Sequence, residues 1–279
     1  MRELSIGVFD SGVGGLTVLS ELIKKMPDEN YIYFGDISHL PYGNKSEDAI
    51  KRFSFNNSTF LIQKGIKILV IACNTSTAVA LDYLKSLFNV PILGVIEPAV
   101  DMALSYNDVK RIGVIGTRAT IKSNKYKALI NSKKPEIEVF QKATPLFVPL
   151  IEEGWINNKI MDEVIDEYLK DFKNKIDLLI LGCTHYPIIK NKIIDYFDGK
   201  VKVVDSSIST AIKVYEYLKN NNLLNETDIT LKEKESNVKI YLSDDSSSFE
   251  VVEKLIFNRK YGYKKIFLSE YQDIWYKNI

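Results

Sequence analysis

The chain has 279 residues, 46% of them hydrophobic, so it can bury a large core and form two average domains. Its 37 Lys and Arg nearly balance its 36 Asp and Glu, which argues against a protein that holds nucleic acid or an anionic membrane surface through net charge. No signal-peptide-like segment and no apolar stretch near the roughly 20 residues that span a bilayer is evident, which predicts a cytoplasmic protein acting on small molecules.

The N-terminal segment predicts a strand at residues 6–9, a glycine-rich turn and an amphipathic helix at residues 16–25. The glycines give little support to a dinucleotide-binding turn, because Thr17 stands where the third glycine should be and Asp10 would repel a pyrophosphate. A zwitterion suits it better, with Asp10 facing an ammonium and Ser11 facing a carboxylate. An aspartate that only caps the turn is the alternative.

A second predicted strand, residues 31–34, leads into a loop at residues 35–44 that can cover a binding site. A helix is predicted at residues 46–64. The apolar run at residues 68–72 then predicts a buried parallel strand, because Ile, Leu and Val fill strands that are covered on both faces. The small polar residues 74–77 are expected to cap a helix that begins near Ala78.

Cys73 follows the buried strand at its carboxyl end, which is the edge where open α/β sheets bind ligands. The pattern recurs once, where residues 177–182 precede Cys183, Thr184 and His185. These are the chain's two cysteines. N–H groups and a helix dipole after the strand are expected to lower a thiol pKa, which favours two reactive thiols over two buried apolar ones.

The second half of the chain starts much as the first does, which suggests two pseudo-symmetric α/β domains, each with a mainly parallel sheet flanked by helices; a chance likeness of strand-turn-helix segments is the alternative. After a strand at residues 91–95 and a crossover at 96–98, residues 111–120 echo the opening strand and polar turn. The repeat places one thiol on each side of a cleft, where we expect the active site. We assign residues 1–97 plus about 210–279 to the first domain and residues 98–209 to the second.

The remaining segments continue the alternation of strands and helices. They are predicted as a strand at 139–140, a helix at 149–170 with Glu152 near its start, a strand at 201–206, a helix ending at 219, a polar insertion at 220–237, a strand at 238–242, a helix at 249–257 and an aromatic tail from 261. With a balanced net charge, the tail favours ordinary packing over nucleic-acid stacking.

Two thiols across a cleft suit the removal of a proton from one face of a carbon and its delivery to the other face. One must be a thiolate and the other a thiol, and cysteine needs only a modest pKa shift to serve as the base near neutral pH. Asp10 can pair with the Cys73 side. His185 can exchange a proton with Cys183 or with the substrate.

Four segments, residues 10–15, 41–43, 73–75 and 182–185, stand in the order found in glutamate racemases, and the chain resembles this family over nearly its whole length. The resemblance implies interconversion of L- and D-glutamate without a cofactor or metal, to supply D-glutamate for peptidoglycan, by an enzyme that pairs as a homodimer. It further implies that Cys73 takes the proton from the D isomer and Cys183 from the L isomer.

The resemblance also implies the remaining site residues. Glu152 matches a family glutamate placed near His185, and both are expected to be catalytic together with Asp10 and the cysteines. The expected substrate-binding residues are Asp10, Ser11, Pro41, Tyr42, Gly43, Asn74, Thr75, Thr117, Thr120, Thr184 and His185. Arg118 is a rival carboxylate clamp, for which we favour a solvated surface position.

Other functions stay open at this point. An aspartate or hydantoin racemase would share the two thiols with a different pocket, and a two-domain ligand sensor would bury both without chemistry. A zinc site could use the two Cys and two His, but no paired ligand spacing exists and His39 is more simply a loop residue. A pyridoxal phosphate racemase needs a Schiff-base lysine, and the pattern singles out none.

Overall fold

The computed structural model describes residues 2–225, 237–257 and 259–268. Within these ranges the strands are β1 (Ser5–Asp10), β2 (Tyr31–Gly35), β3 (Ile66–Ile71), β4 (Ile92–Gly94), β5 (Arg111–Gly116), β6 (Glu138–Ala143), β7 (Leu178–Gly182), β8 (Lys202–Asp205), β9 (Val238–Leu242) and β10 (Lys264–Lys265). The helices are α1 (Leu16–Lys25), α2 (Glu47–Gln63), α3 (Asn74–Leu87), α4 (Ile96–Leu104), α5 (Arg118–Lys122), α6 (Lys125–Lys133), α7 (Phe147–Glu152), α8 (Lys159–Leu169), α9 (Lys190–Tyr196), α10 (Ser206–Asn220) and α11 (Ser247–Ile256).

The strands form two parallel sheets. The first has the order β10-β9-β2-β1-β3-β4 and the second the order β6-β5-β7-β8, with parallel pairing throughout. Because the strands are parallel, their carboxyl ends share one edge of each sheet. The predicted fold class, two α/β domains with parallel sheets flanked by helices, is confirmed.

Each sheet is covered on both faces, as the apolar composition of its strands predicts. In β3, Ile68 and Val70 pack on one face with α1, α10 and α11, while Leu69 and Ile71 pack on the other with α2 and α3. Side chains of the second sheet alternate in the same way between a core with α7, α8 and α9 and a core with α4 and α6. Both faces of each sheet are therefore closed to a ligand, which must approach the sheet at an edge.

The connecting helices α4 and α10 pack on different sheets, and α4 runs across the proposed 97/98 boundary. Helix α4 contributes Ile96, Val100 and Ala103 to the core of the second sheet. Helix α10 contributes Val214 and Leu218 to the core of the first. The division at 97/98 and near 210 therefore stays a prediction. Most of the predicted insertion at 220–237 and most of the aromatic tail lie outside the described residues.

The helix that follows the first cysteine begins earlier than predicted. It starts at Asn74 rather than near Ala78, because Cys73 itself is the N-cap and its sulfur accepts the N–H of Ser76. The hydroxyl residues therefore form the first helical turn. Sulfur is an uncommon cap, so the rule that assigns caps to Ser, Thr, Asp and Asn placed the start too late.

Two further elements differ from the prediction. Residues 96–98 are the first turn of α4 rather than a crossover, since Pro98 is tolerated in the first turn of a helix. The predicted helix at 149–170 is two helices, α7 and α8. Gly154 separates them with a φ of 72°, a left-handed conformation that no helix interior contains. The other predicted strands and helices that lie in the described residues are present, with shifted ends.

A buried ion pair lies near the amino end of β3, at the edge opposite Cys73. The Nζ atom of Lys67 is 2.5 Å from Oε2 of Glu29 and also donates to the carbonyl oxygens of Arg2 and Leu223. The other Glu29 oxygen accepts the N–H of Asn225. The pair thus ties three separate chain segments to the first sheet.

We expect Lys67→Met to lower the free energy of unfolding by about 3 kcal/mol, because it leaves the buried carboxylate of Glu29 without its cation. Urea unfolding followed by circular dichroism measures this change. The double variant Lys67→Met/Glu29→Leu is the control, since it removes both charges and should recover much of the loss. An unchanged midpoint in Lys67→Met would show that the pair contributes nothing to stability.

Candidate active site

A cavity of about 650 Å³ lies between the carboxyl edges of the two sheets, and both cysteines line it. Cys73 comes from the first sheet and Cys183 from the second, so the two thiols face a common space from different domains. All predicted site residues except Asp10 and Thr120 line this cavity: Ser11, Pro41, Tyr42, Gly43, Cys73, Asn74, Thr75, Thr117, Glu152, Cys183, Thr184 and His185.

The net effect of the surroundings of Cys73 favours the neutral thiol. Its sulfur is 3.5 Å from the Ser11 hydroxyl and 3.4 Å from the N–H of Ser76. Burial and the negative charge of Asp10 raise the pKa of Cys73 to about 11, although these two contacts act in the opposite direction. The expectation that the helix start lowers this thiol pKa is therefore wrong, because desolvation outweighs the N–H donors.

Cys183 has a different environment. Its sulfur lies 3.9 Å from Nδ1 of His185, whose Nε2 lies 2.9 Å from a carboxylate oxygen of Glu152. Burial lowers the pKa of His185, but its contacts with Cys183 and Glu152 prevail and raise that pKa to about 10. The ring is therefore an imidazolium at neutral pH, placed between a sulfur and a carboxylate. A cation beside a cysteine is the arrangement that stabilises a thiolate.

The segments that carry Glu152 and Cys183 differ from their predicted structure. Glu152 is the last residue of α7 rather than near the start of a helix, so its carboxylate is held by His185 and not by a helix dipole. After Cys183 the chain forms a short 3₁₀ turn, Tyr186–Ile189, before α9 begins. The full helix start expected next to this cysteine is thus displaced along the chain.

Asp10 lies directly behind the cavity wall and is completely buried. One carboxylate oxygen accepts the N–H groups of Gly12 and Gly15, whereas Oδ1 has no hydrogen-bond partner among the described residues. Burial raises the pKa of Asp10, while the charge of His185 and the N–H groups oppose this shift. The carboxylate therefore shapes the glycine turn and retains one unused acceptor.

The glycine turn after β1 approaches the second domain very closely. A Cβ atom on Gly14 would lie 2.3 Å from Nδ1 of His185 and 2.6 Å from Oγ1 of Thr184. On the other side of the cavity, a Cβ on Gly43 would lie 2.8 Å from Cβ of Thr117. Only glycine fits at such distances, so these two residues let the domains meet around the site.

The loop that covers the cavity is anchored by Asp36, which sequence analysis did not single out. This buried carboxylate accepts hydrogen bonds from the Tyr42 hydroxyl at 2.5 Å and the Ser243 hydroxyl at 2.9 Å, and it contacts Nδ1 of His39 at 2.8 Å. Asn57 donates to the Tyr42 hydroxyl. The signal in the sequence that could have identified Asp36 is its position directly after the end of β2. The network fixes Tyr42 at the cavity wall.

Threonine hydroxyls join the two domains at the cavity. The hydroxyl of Thr75 lies 2.9 Å from that of Thr117 and 3.3 Å from that of Thr120. Thr120 is buried behind Thr117, so it supports the wall instead of forming it. Arg118 is exposed at the mouth of the cavity, 3.5 Å from Oδ1 of Asn44. Its surface position agrees with the interpretation we favoured.

One wall of the cavity is apolar and was missed. It consists of Pro145, Leu146, Val148 and Pro149 at the start of α7, together with Tyr168 from α8. The wall was missed because residues 149–170 were predicted as one long helix. The apolar run before Glu152 was the signal in the sequence that could have indicated it.

The zinc hypothesis finds no support in the arrangement of ligands. Across residues 2–225, 237–257 and 259–268, no three His, Cys, Asp or Glu side chains are grouped so that they could hold a metal ion. His39 instead stacks on Phe53, with ring centroids 4.0 Å apart. Of the helices named above, none is both long enough and apolar enough to cross a membrane.

A model of the family described as Asp/Glu/Hydantoin racemase matches residues 10–212, a range that contains both cysteines. Two α/β domains with a thiol from each at a shared cavity, together with this match, define an amino acid racemase.

Comparison with individual relatives identifies the group of racemases to which the chain is most similar. The chain is 45% identical to a glutamate racemase of Aquifex aeolicus over 92% of this chain and 95% of that protein. It is 44% identical to one of Persephonella marina, over 96% and 98%. The crystal structure of a Francisella tularensis glutamate racemase in complex with D-glutamate superimposes with a TM-score of 0.88 at 38% identity, covering 97% of this chain and all of that chain. The chain belongs to the Asp/Glu/Hydantoin racemase family and, within it, to the glutamate racemases.

Proposed function

We propose that this protein interconverts L- and D-glutamate by two-base proton transfer at Cα, without a cofactor, with Cys73 and Cys183 as the two bases. The observation that carries the proposal is the shared cavity, to which each domain contributes one thiol. The unequal partners of the two sulfurs support it further, because the two bases must start in opposite protonation states.

The charges described above suggest the starting state. For the L-to-D direction we assign the role of base to Cys183, which lies beside His185, and the role of acid to Cys73, whose pKa is raised. With L-glutamate, the Cys183 sulfur takes the α-proton and the bonding electron pair moves onto the α-carbon and its carboxylate. The Cys73 thiol then delivers its proton to the opposite face. The product is D-glutamate, and the enzyme is left with a Cys73 thiolate and a Cys183 thiol.

The remaining polar groups are proposed to hold the substrate. From behind the cavity wall, the carboxylate of Asp10 is proposed to attract the substrate ammonium, whose charge would also offset the raised pKa of the buried carboxyl. Hydroxyls of Ser11, Thr75 and Thr184, with backbone N–H groups at the strand ends, would bind the two carboxylates. Stabilising the α-carboxylate lowers the energy of the carbanion that forms beside it.

A solvent-isotope experiment tests this proposal. When L-glutamate is incubated with the enzyme in deuterated water, we expect the D product to carry deuterium at Cα well before the remaining L pool does. The reason is that the delivered hydrogen comes from a solvent-exchanged thiol, whereas the removed hydrogen resides on the other sulfur. NMR of the separated enantiomers measures both pools. Equally fast labelling of the two pools would contradict a two-base mechanism.

The same experiment separates the alternatives. Glutamate binding with no exchange at all would favour a ligand sensor, and exchange of aspartate in preference to glutamate would favour an aspartate racemase. Visible-range absorbance of the purified protein would indicate a bound pyridoxal cofactor. The names of the relatives favour glutamate, since those of Aquifex aeolicus and Persephonella marina are glutamate racemases.

We expect Glu152→Gln to shift the basic limb of the pH profile of kcat/KM for L-glutamate to lower pH. Cys183 and Glu152 together raise the pKa of His185 to about 10 against the effect of burial, and the imidazolium exists only below that pKa. Removing the carboxylate charge lowers the pKa, so the cation beside Cys183 is lost earlier as pH rises. We therefore expect kcat/KM to fall by about tenfold for each pH unit above the lowered pKa, while the parent protein keeps its rate up to about pH 10.

Glu153→Gln is the matched control for this prediction. It removes the same charge one residue later, from an exposed side chain that also lines the cavity. Its profile should stay close to that of the parent protein. Identical profiles for the parent and Glu152→Gln would exclude a role of the Glu152–His185 pair in setting the reactive charge state.

Three further properties are proposed from the resemblance to glutamate racemases: a role in peptidoglycan synthesis, a location in the cytoplasm and a homodimeric state. Growth of a bacterium that requires D-glutamate, when it expresses this chain, tests the first. Cell fractionation tests the second, and light scattering of the purified protein tests the third.

A further inference from the structure

One buried side chain, Tyr126 on α6, contacts the segments of both thiols. Its hydroxyl donates a 2.6 Å hydrogen bond to Oδ1 of Asn74, the residue directly after Cys73. Its ring packs against Gly182, the residue directly before Cys183, since a Cβ atom on that glycine would lie 3.1 Å from Cε2 of the tyrosine. Tyr126 belongs to the core of the second sheet, whereas Asn74 begins the helix after β3 in the first.

A second buried hydroxyl connects the first domain to the segment that follows Cys183. Oγ1 of Thr17, on α1 of the first domain, lies 2.8 Å from the carbonyl oxygen of Thr184, the residue directly after Cys183. The same hydroxyl lies 2.9 Å from the carbonyl oxygen of Gly14, so one proton serves two acceptors. The residue that follows each cysteine is thus bonded to a hydroxyl from the opposite domain.

We propose that Tyr126 and Thr17 are positioning residues that set the separation of the two thiols across the cavity, Tyr126 by holding the Cys73 segment and Thr17 by holding the Cys183 segment. The proposal rests on the two-base function proposed above, because that chemistry alone requires both sulfurs at a defined distance from one carbon. Neither residue lines the cavity, so neither is expected to touch the substrate.

The strength of these contacts follows from their burial. Tyr126 is fully buried, and Asn74, Thr17 and Thr184 are nearly so, so both hydrogen bonds are shielded from bulk solvent. Burial, with a further contribution from the charge of Cys183, raises the pKa of Tyr126 well above its ordinary value, so its hydroxyl stays a donor at working pH. A carbonyl oxygen that loses a buried donor is destabilised, so we expect its segment to shift when the hydroxyl is removed.

The test removes each hydroxyl while keeping the shape of the side chain, in Tyr126→Phe and Thr17→Val. We expect kcat for racemisation to fall about 10-fold or more while KM changes by less than about 3-fold, since a shift near 1 Å can cost roughly 10²-fold in rate. The second readout needs no activity. Initial carbamidomethylation rates by iodoacetamide, measured at each cysteine by mass spectrometry, should change mainly at Cys73 in Tyr126→Phe and mainly at Cys183 in Thr17→Val.

Matched controls delete similar buried hydroxyls elsewhere. Tyr31→Phe removes a hydroxyl bonded to the carbonyl oxygens of Leu22 and Met26, and Thr59→Val removes one bonded within α2 to Phe55. Both should keep the parent ratio of alkylation rates at the two cysteines. The proposal is overturned if Tyr126→Phe and Thr17→Val also keep that ratio, or if the controls change it equally.

The outcome is distinguishable from a failure of the proposed function. If the parent protein does not racemise glutamate, the two-base function fails, and the alkylation ratios still decide whether the hydroxyls position the thiols. If the parent racemises glutamate and both variants keep its kcat, the positioning role fails while the function stands.

Discussion

Replacing either Cys73 or Cys183 by alanine is expected to lower kcat for glutamate racemisation by roughly 10³-fold or more, within or beyond the usual range for loss of an acid–base group. Each direction of the reaction needs both sulfurs, one to remove the proton and one to deliver it, so neither variant retains a working direction. Both thiols are buried at the cavity wall, and truncation to alanine keeps the wall otherwise intact. Racemisation is measured by circular dichroism from each enantiomer.

Glutamate binding by the same variants provides the control. Isothermal titration calorimetry should still detect binding, because the proposed substrate contacts come from Asp10 and from hydroxyl and N–H groups, not from sulfur. Full activity in Cys73→Ala would remove that residue from the mechanism, and full activity in Cys183→Ala would do the same for the other base.

The second large effect is expected from Gly14→Ala. The added methyl carbon would lie 2.3 Å from Nδ1 of His185, the ring atom that faces Cys183, and 2.6 Å from Oγ1 of Thr184. No side chain tolerates such contacts, so the imidazole or the whole glycine turn must move away. We expect kcat/KM to fall by about 10²-fold or more, as for a misplacement of about 1 Å, with a smaller effect on stability.

Gly12→Ala is the control in the same turn. Its methyl group would meet the end of the Leu40 side chain at 3.1 Å, a contact that a small rotation of that flexible side chain relieves. We expect it to keep most of the activity that Gly14→Ala loses. If the two variants lose activity equally, general rigidity of the turn, and not the space required by His185, explains the effect.

The positions of the two thiols were predictable because they depend on local composition. The apolar runs before Cys73 and Cys183 form β3 and β7, and parallel strands place their carboxyl ends at one edge, so a cavity between the edges followed directly. The glycine turn after β1 and the helix after it were predictable for the same reason.

The chemical character of the thiols was not predictable from local sequence. The pKa of Cys73 depends on burial and on the charge of Asp10, which is distant along the chain, and local rules for helix starts gave the wrong direction. The bond between Tyr126 and Asn74 joins residues 52 positions apart in different domains. No periodicity or capping rule encodes such contacts, because they arise only when both domains have packed.

The order of the strands in the first sheet has a consequence for synthesis on the ribosome. Strand β9 pairs with β2, and β10 with β9, so this sheet is completed by residues translated after every strand of the second sheet. Until then, one side of β2 presents unpaired backbone groups that can bind another nascent chain. The strands of the second sheet, β5 to β8, are consecutive in the chain, so this sheet can fold before β9 and β10 have been translated. The first sheet stays incomplete until those two strands pair.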